Sequence, residues 1–139
     1  MVKNLVSVII PYYKNRFFFK ECIDSVYSQS YKKKEVFIIY DNEKKDDLSY
    51  IKKIISKKKN IKIIINKKNL GAGISRNKGI NRSNGEFIAF IDSDDIWVKD
   101  KLKKQVSFMR SNNIDLSYTS YEIIDEKNRS IGLRKCQKN

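Results

Sequence analysis

Three carboxylates within four residues, Asp92, Asp94 and Asp95, end the apolar run FIAFIDSDDIW. Carboxylates this crowded repel one another, so one tends to stay protonated unless a cation relieves the cost. Hard divalent cations such as Mg2+ and Mn2+ take oxygen ligands, often one or two carboxylates with substrate phosphates completing the shell. The chain has no histidine, which makes oxygen-only ligation the natural chemistry. On a strand that ends and turns, Asp92 and Asp94 can address different parts of one ligand. The competing assignment is structural. SDDIWVKDKL reads as a helix start, and Asp is a favoured N-cap. For Asp95 capping ranks first. For the Asp92/Asp94 pair a metal and a nucleotide rank first, because a cap needs one carboxylate and leaves two unexplained.

Two further stretches carry polar chemistry. In NLGAGISRNKG, Gly71 and Gly73 precede a predicted helix, where backbone N–H groups can approach a phosphate. Close packing of the loop on a sheet explains these glycines as well, and the pattern is neither a P-loop nor a dinucleotide fingerprint. Arg76 and Asn77 add donors on the first helical turns. Asp41 and Asn42 end another apolar run. Both can read the edge of a base, since Asp accepts from a ring N–H and Asn accepts and donates. A turn or capping role before EKKDD is the alternative.

The elements that must position these residues alternate. LVSVIIPYY (Leu5 to Tyr13) is β-branched and apolar, as a strand buried on both faces should be, and Pro11 is expected to stop it. Phe18, Cys22 and Val26 recur at helical spacing and predict a helix over Arg16 to Ser28. Glu35 to Asp41, Ile61 to Asn66 and Glu86 to Asp92 are predicted strands. Asp46 to Ser56, Ile74 to Ser83 and Trp97 to Ser111 are predicted helices. Asp115 to Ile124 is a predicted fifth strand, and DEKNRS a turn into a further short one. Strands separated by single helices imply a parallel sheet, so an α/β, doubly wound, mostly parallel architecture is expected. Ligands of such sheets bind beyond the carboxyl ends of the strands. Three polar strand ends, Pro11-Tyr12-Tyr13, Asp41-Asn42 and Asp92-Ser93-Asp94-Asp95, should therefore meet at one edge.

Composition bounds the rest. The 139 residues suit one domain, and 40% are hydrophobic, which favours a globular core over disorder. No apolar run approaches the ~20 residues needed to span a bilayer. The N-terminus reads as a first strand rather than a signal peptide. Two cysteines far apart, Cys22 and Cys136, argue against a disulfide framework or a zinc site, and Cys22 reads as a buried thiol. The cytosol is the default compartment. The net charge of +14 implies attraction to nucleic acid, an anionic membrane face or phosphorylated substrates. A general richness in Lys, Asn and Ile, as from a biased genome, is the plainer source of that charge. The lysine runs lie on several loops and helices, which argues against a nucleic-acid surface.

Taken together, VSVIIPYYKNRFFFKECIDSVYSQSY, EVFIIYDN, NLGAGISRNKGI and GEFIAFIDSDD followed by Trp97 resemble the inverting family-2 glycosyltransferases with the Rossmann-like GT-A fold. The resemblance spans roughly Val6 to Tyr121. It implies transfer of a sugar from a nucleotide-sugar donor, usually UDP-linked, with Mg2+ or Mn2+. The acceptor would be a glycan or a lipid-linked one, in bacterial cell-surface polysaccharide synthesis. By the same resemblance Pro11 and Tyr12 would line the nucleoside pocket, and Asp41 and Asn42 would contact the base. Arg76 would lie near the donor. Asp92-Ser93-Asp94 matches the family's Asp-x-Asp motif, with Asp92 towards ribose and metal and Asp94 on the metal.

Asn42 departs from the family's second acidic residue. Inverting transfer also needs a carboxylate to take the acceptor's proton, and the only late acidic pair, Asp125 and Glu126, reads as a turn. The expectation is a single donor-binding domain over residues 1–139, truncated at its C-terminus and lacking the acceptor and catalytic-base half. It would be cytoplasmic, peripheral on the inner membrane face, and self-associating through uncovered apolar surface. A catalytically inactive nucleotide-binding or interaction domain is the alternative.

Overall fold

The structure, a computed structural model, describes residues 1–136. The chain divides into two units, Met1–Lys104 and Gln105–Asn139. The first carries β1 (Val2–Tyr12), α1 (Arg16–Tyr27), β2 (Lys34–Tyr40), α2 (Leu48–Ile55), β3 (Ile61–Ile65), α3 (Gly71–Ile80) and β4 (Gly85–Phe90). α4 (Lys101–Asn112) runs across the boundary, and β5 (Tyr121–Ile124) and β6 (Ser130–Arg134) follow.

The four strands of the first unit form one sheet in the order β3-β2-β1-β4, parallel throughout. β1 and β2 lie centrally. Ile9, Ile10, Ile38 and Ile39 are fully buried, and each is worth roughly 1.5–3 kcal/mol of apolar transfer. Alternate residues face opposite layers. Ile9, Phe37 and Ile39 form one cluster, joined by Ile64. This is the face that α3 covers. A Cβ on Gly79 would come within 2.5 Å of Ile9 Cγ2, so only a glycine lets α3 lie this close. On the opposite face Tyr12 stacks on Tyr40 at 5.5 Å and meets Phe19 of α1 edge-on at 5.0 Å. Helices on both faces make the fold α/β and doubly wound, as expected.

Pro11 does not stop β1, which continues to Tyr12. Pairing with β4 ends at Ile9–Phe90, and the Ile91 N–H donates to Ile9 O on that side. Alternation along the strand turns the Pro11 nitrogen to the same side, one step beyond the ladder, where a missing donor costs nothing.

β4 and β3 are the outer strands of this sheet. Ile88 and Phe90 of β4 are 41% and 43% exposed. They pair with Ser7 and Ile9 and so share the α3 face.

The second unit corrects one expectation. The predicted fifth strand shrinks to Tyr121–Ile124 and pairs antiparallel with β6 in a separate two-stranded sheet. In the preceding residues Leu116 and Tyr118 are 83% and 71% exposed. Their alternation with polar neighbours is the mark of a half-solvated segment, not of a strand buried on both faces. The turn before β6 is as expected: Asp125 Oδ1 accepts from Lys127 N and Arg129 N at 2.9 Å, and Arg129 Nε donates to Oδ2 at 2.7 Å.

Candidate functional site

The parallel register brings the carboxyl ends of β1, β2 and β4 to one edge of the sheet, and a cleft of about 340 Å³ opens there. Pro11, Tyr12, Tyr13 and Asn15 line it from the end of β1 and its turn. Asp41 enters from β2, and Asp92, Ser93 and Asp94 enter from β4. Asn69, Gly71, Ala72 and Arg76 close it from the entry of α3. Seven of the eight residues singled out from sequence therefore share one cleft; Asn42 is not among its lining residues.

Asp41 is 3% exposed and already occupied. Its Oδ1 accepts from Asn66 Nδ2 at 2.7 Å and from Leu70 N at 2.8 Å, and its Oδ2 accepts from Gly71 N at 2.8 Å. Asn66 extends the network: its Nδ2 also donates to Ser75 Oγ at 3.1 Å, and its Oδ1 accepts from Lys78 Nζ at 2.7 Å. Asp41 thus satisfies N–H groups at the start of α3 that the helix itself leaves unpaired. The phosphate cradle expected at Gly71 is closed by the chain's own carboxylate. Gly71 is required for another reason, its φ of +82°. The packing role expected of Gly71 or Gly73 belongs to Gly79: a Cβ at either of the first two meets nothing within 4 Å.

Asn42 is 2% exposed, and its Oδ1 accepts from Lys44 N at 3.2 Å. That is the turn role weighed against base contact. Tyr12 is fully buried, and its hydroxyl donates to Asp47 Oδ2 at 2.8 Å. Burial and the Asp47 partner push the phenol far above its ordinary range. The Tyr12 ring is core.

Its neighbour Tyr13, which the sequence reading did not single out, leaves its ring 47% exposed at the cleft. Lys14, and then Asn69, draw the Tyr13 phenol below its usual value. Tyr13 lies one residue past the end of β1, in the turn, where its side chain leaves the buried layers.

The acidic loop is held from two sides. Ser93, 6% exposed, accepts at Oγ from Asn15 Nδ2 at 3.1 Å. The Cys22 thiol donates to Asp92 O at 3.4 Å, and Asp95 N donates to the same carbonyl at 3.1 Å. Burial first, then Asp95, Asp94 and Asp92, push the Cys22 thiol up to about 12. Partial burial, then Asp92 and Asp94, raise Asp95 above the ordinary carboxylate range. Asp95 caps nothing, because α4 begins only at Lys101; the intervening chain is fixed by Trp97 N donating to Ser25 Oγ at 3.1 Å. Arg76 reaches across from α3, and its guanidinium lies 2.5 Å from Asp92 Oδ1.

The oxygen-only donor set of this loop suits a hard cation. Among the described residues no three His, Cys, Asp or Glu side chains group into a metal cage. Asp92 and Asp94 are the carboxylates of this loop that line the cleft.

A family model described as glycosyl transferase family 2 matches residues 7–138. An uncharacterized glycosyltransferase of Rickettsia felis is 44% identical over 126 residues, covering 91% of this chain and 21% of that protein. The Escherichia coli UDP-Glc:alpha-D-GlcNAc-diphosphoundecaprenol beta-1,3-glucosyltransferase WfgD is 38% identical over 121 residues, covering 87% of this chain and 47% of WfgD. The crystal structure of S. aureus TarS in complex with UDP-GlcNAc superposes with a TM-score of 0.70 at 30% identity, covering 78% of this chain and 32% of that one. The chain thus spans half or less of the length of these relatives.

Proposed function

This chain belongs to glycosyl transferase family 2, and on that premise we propose that its cleft binds the nucleotide-sugar donor, a UDP-sugar, for transfer to a glycan or lipid-linked acceptor. The observation that carries the reading is the meeting of Asp92, Asp94 and Arg76 with the exposed Tyr13 ring in one cleft. Its volume of about 340 Å³ falls in the range of small-molecule sites. TarS, with UDP-GlcNAc bound, and WfgD, named for a UDP-glucose donor and a diphosphoundecaprenol-linked acceptor, support the donor class.

The residues divide the work as follows. Tyr13 offers an apolar face for a base to stack on, beside Pro11 and the Asn69 amide. Asp41 shapes the cleft by holding residues 69–71 in place. Arg76 restrains Asp92 and puts positive charge next to the diphosphate position. Asp92 and Asp94 would hold Mg2+ or Mn2+, which when bound offsets the charge developing on the diphosphate leaving group. With only two carboxylates from the chain, metal and nucleotide should bind together rather than separately.

A second reading is a domain that binds the donor without transferring the sugar. Its motive is that Asp125, the acid weighed for the acceptor's proton, is fully engaged by its own turn. The exposed Ile88 and Phe90 on the outer strand β4 support self-association, or docking of a further segment, on either reading. A cytoplasmic location follows from the donor class.

The test is a thermal-shift panel of UDP, GDP and CDP, each with and without Mn2+ or Mg2+. Ligand that binds only the native state raises apparent stability, by about 2.7 kcal/mol at a hundredfold excess over Kd. UDP with metal should raise the midpoint and either alone should do little. Asp92→Ala and Asp94→Ala should remove the response. A wild-type metal-dependent shift in both variants would overturn the assignment. Transfer or hydrolysis of a UDP-sugar by the purified chain would exclude the second reading.

A further inference from the structure

We propose that the β3 side of the sheet, from α2 to the cleft mouth, is a docking surface for an anionic lipid bilayer. Between Leu48 and Lys68 the sequence holds eight lysines and no acidic residue. This stretch of 21 residues thus carries a net charge of +8. The stretch runs from α2 through β3, the outer strand, to the cleft, with Lys62 on the layer that also holds Phe37. α2 buries Leu48 and Ile51 and turns Ser49, Lys52, Lys53 and Ser56 outward, the spacing of one helical stripe. Lys57 and Lys59 follow in the turn to β3. Lys62 lies on β3, the outer strand, and Lys67 and Lys68 precede Asn69 at the cleft. Seven of the eight are exposed. The exception, Lys58, lies 2.8 Å from Asp24 and over the Tyr27 ring. Of the acids nearby, Asp24 pairs with Lys20 and Lys58, Glu35 bonds Ser7 and Asn84, and Asp47 accepts from Tyr12, while Glu43 and Asp46 before α2 are exposed.

The apolar residues in this stretch decide the partner. Ile65 is 43% exposed, and Ile54, Ile55, Ile61 and Ile63 are partly so. The one aromatic between Leu48 and Lys68 is Tyr50, whose ring is covered by the Arg16 guanidinium at 4.6 Å. A single-stranded nucleic acid would want exposed aromatic faces between the cations. Lysines interleaved with aliphatic side chains fit headgroups above and acyl chains below. The surface ends at the cleft, so docking there would present the donor site to an acceptor anchored in the same bilayer. For that purpose, though not for the binding itself, the proposal rests on the transferase reading.

The experiment is co-sedimentation of the chain with vesicles of phosphatidylcholine alone or with about one third phosphatidylglycerol, repeated at rising salt. Anionic vesicles should be bound in preference, and the preference should fade as the Debye length falls towards ~3 Å in molar salt. Each lysine near such a surface contributes about 1 kcal/mol, or about fivefold. The Lys52→Gln/Lys53→Gln/Lys57→Gln/Lys59→Gln variant should lose at least about a hundredfold in binding. A charge-matched control, Lys3→Gln/Lys103→Gln/Lys104→Gln/Lys127→Gln, should lose less than about tenfold.

Equal loss in both variants, or no preference of the wild-type chain for anionic vesicles, overturns the proposal. So does tighter binding of single-stranded RNA that depends on the same four lysines. The salt series uses the wild-type chain and decides the point even if a variant folds poorly. Neither variant touches the cleft, so both should keep the UDP–Mn2+ thermal shift. Loss of that shift in the wild-type chain would sink the donor reading and leave the lipid result standing.

Discussion

Replacing Asp41 separates reading a base, which the sequence allowed, from holding the loop before α3, which the structure shows. The carboxylate accepts three hydrogen bonds, from Asn66 Nδ2, Leu70 N and Gly71 N. Asp41→Ala removes all three. Leu70 and Gly71 are partly or fully accessible, so water can replace Asp41 there at roughly 0.5–1 kcal/mol each. Asn66 is 2% exposed, and a donor stranded in the dry costs roughly 1–3 kcal/mol. The expected loss is about 2–5 kcal/mol, read by urea denaturation with an unchanged m-value. Asp41→Asn keeps one acceptor and turns an amide N–H towards Gly71 N; it should lose about 1–2 kcal/mol. Both variants should weaken UDP and GDP alike, because the cleft wall moves as a whole. A variant as stable as the wild-type chain, but with an altered preference between UDP and GDP, would refute the clamp and restore base reading.

Other outcomes follow from packing and charge. Gly79→Ala drives a methyl into Ile9 and should cost about 1–3 kcal/mol despite alanine's better helix propensity; Ile9→Ala in the same chain should recover part of it, and strictly additive losses in a double-mutant cycle would argue against the contact. Burial lowers Lys101 from the ordinary lysine value of 10.5 to about 8, with its ammonium 4.0 Å over the Trp97 ring. The unfolded chain then holds one more proton between about pH 8 and 10.5, so this group's contribution to stability should rise with pH across that window; Lys101→Met should remove that part of the slope. Cys22, fully buried with its thiol raised to about 12, should resist a thiol reagent in the native state, while the more accessible Cys136 reacts; equal rates would contradict the placement of α1.

The sheet was legible because its chemistry is local. β1 and β2 are β-branched runs buried on both faces, and the spacing of Phe18, Cys22 and Val26 is helical, although Phe19 rather than Phe18 is the fully buried ring. The acidic loop was legible too, since Asp92 and Asp94 follow a strand that must end at the ligand edge. The failures lie where tertiary partners decide. Nothing near Asp41 in sequence announces that Asn66, Leu70 and Gly71 will consume its oxygens. Asn42 was drawn towards the base by analogy, and Lys44 holds it in a turn. Asp115 to Ser120 carries strand-like residues, but all except Ser117 are exposed, and the short β5 pairs with β6 instead. Tyr13 was placed at the polar strand end with Tyr12, but nothing local told which of the two rings the core would take.

The outer position of β4 has an architectural consequence. Anything paired to it widens the sheet sideways, whereas the cleft opens off the strand tips, at right angles to that growth. The rim can therefore accept, lose or exchange neighbouring modules while the machinery at the tips keeps its shape. Grafting of foreign strands onto this flank is accordingly an engineering route that spares the cleft at the strand tips.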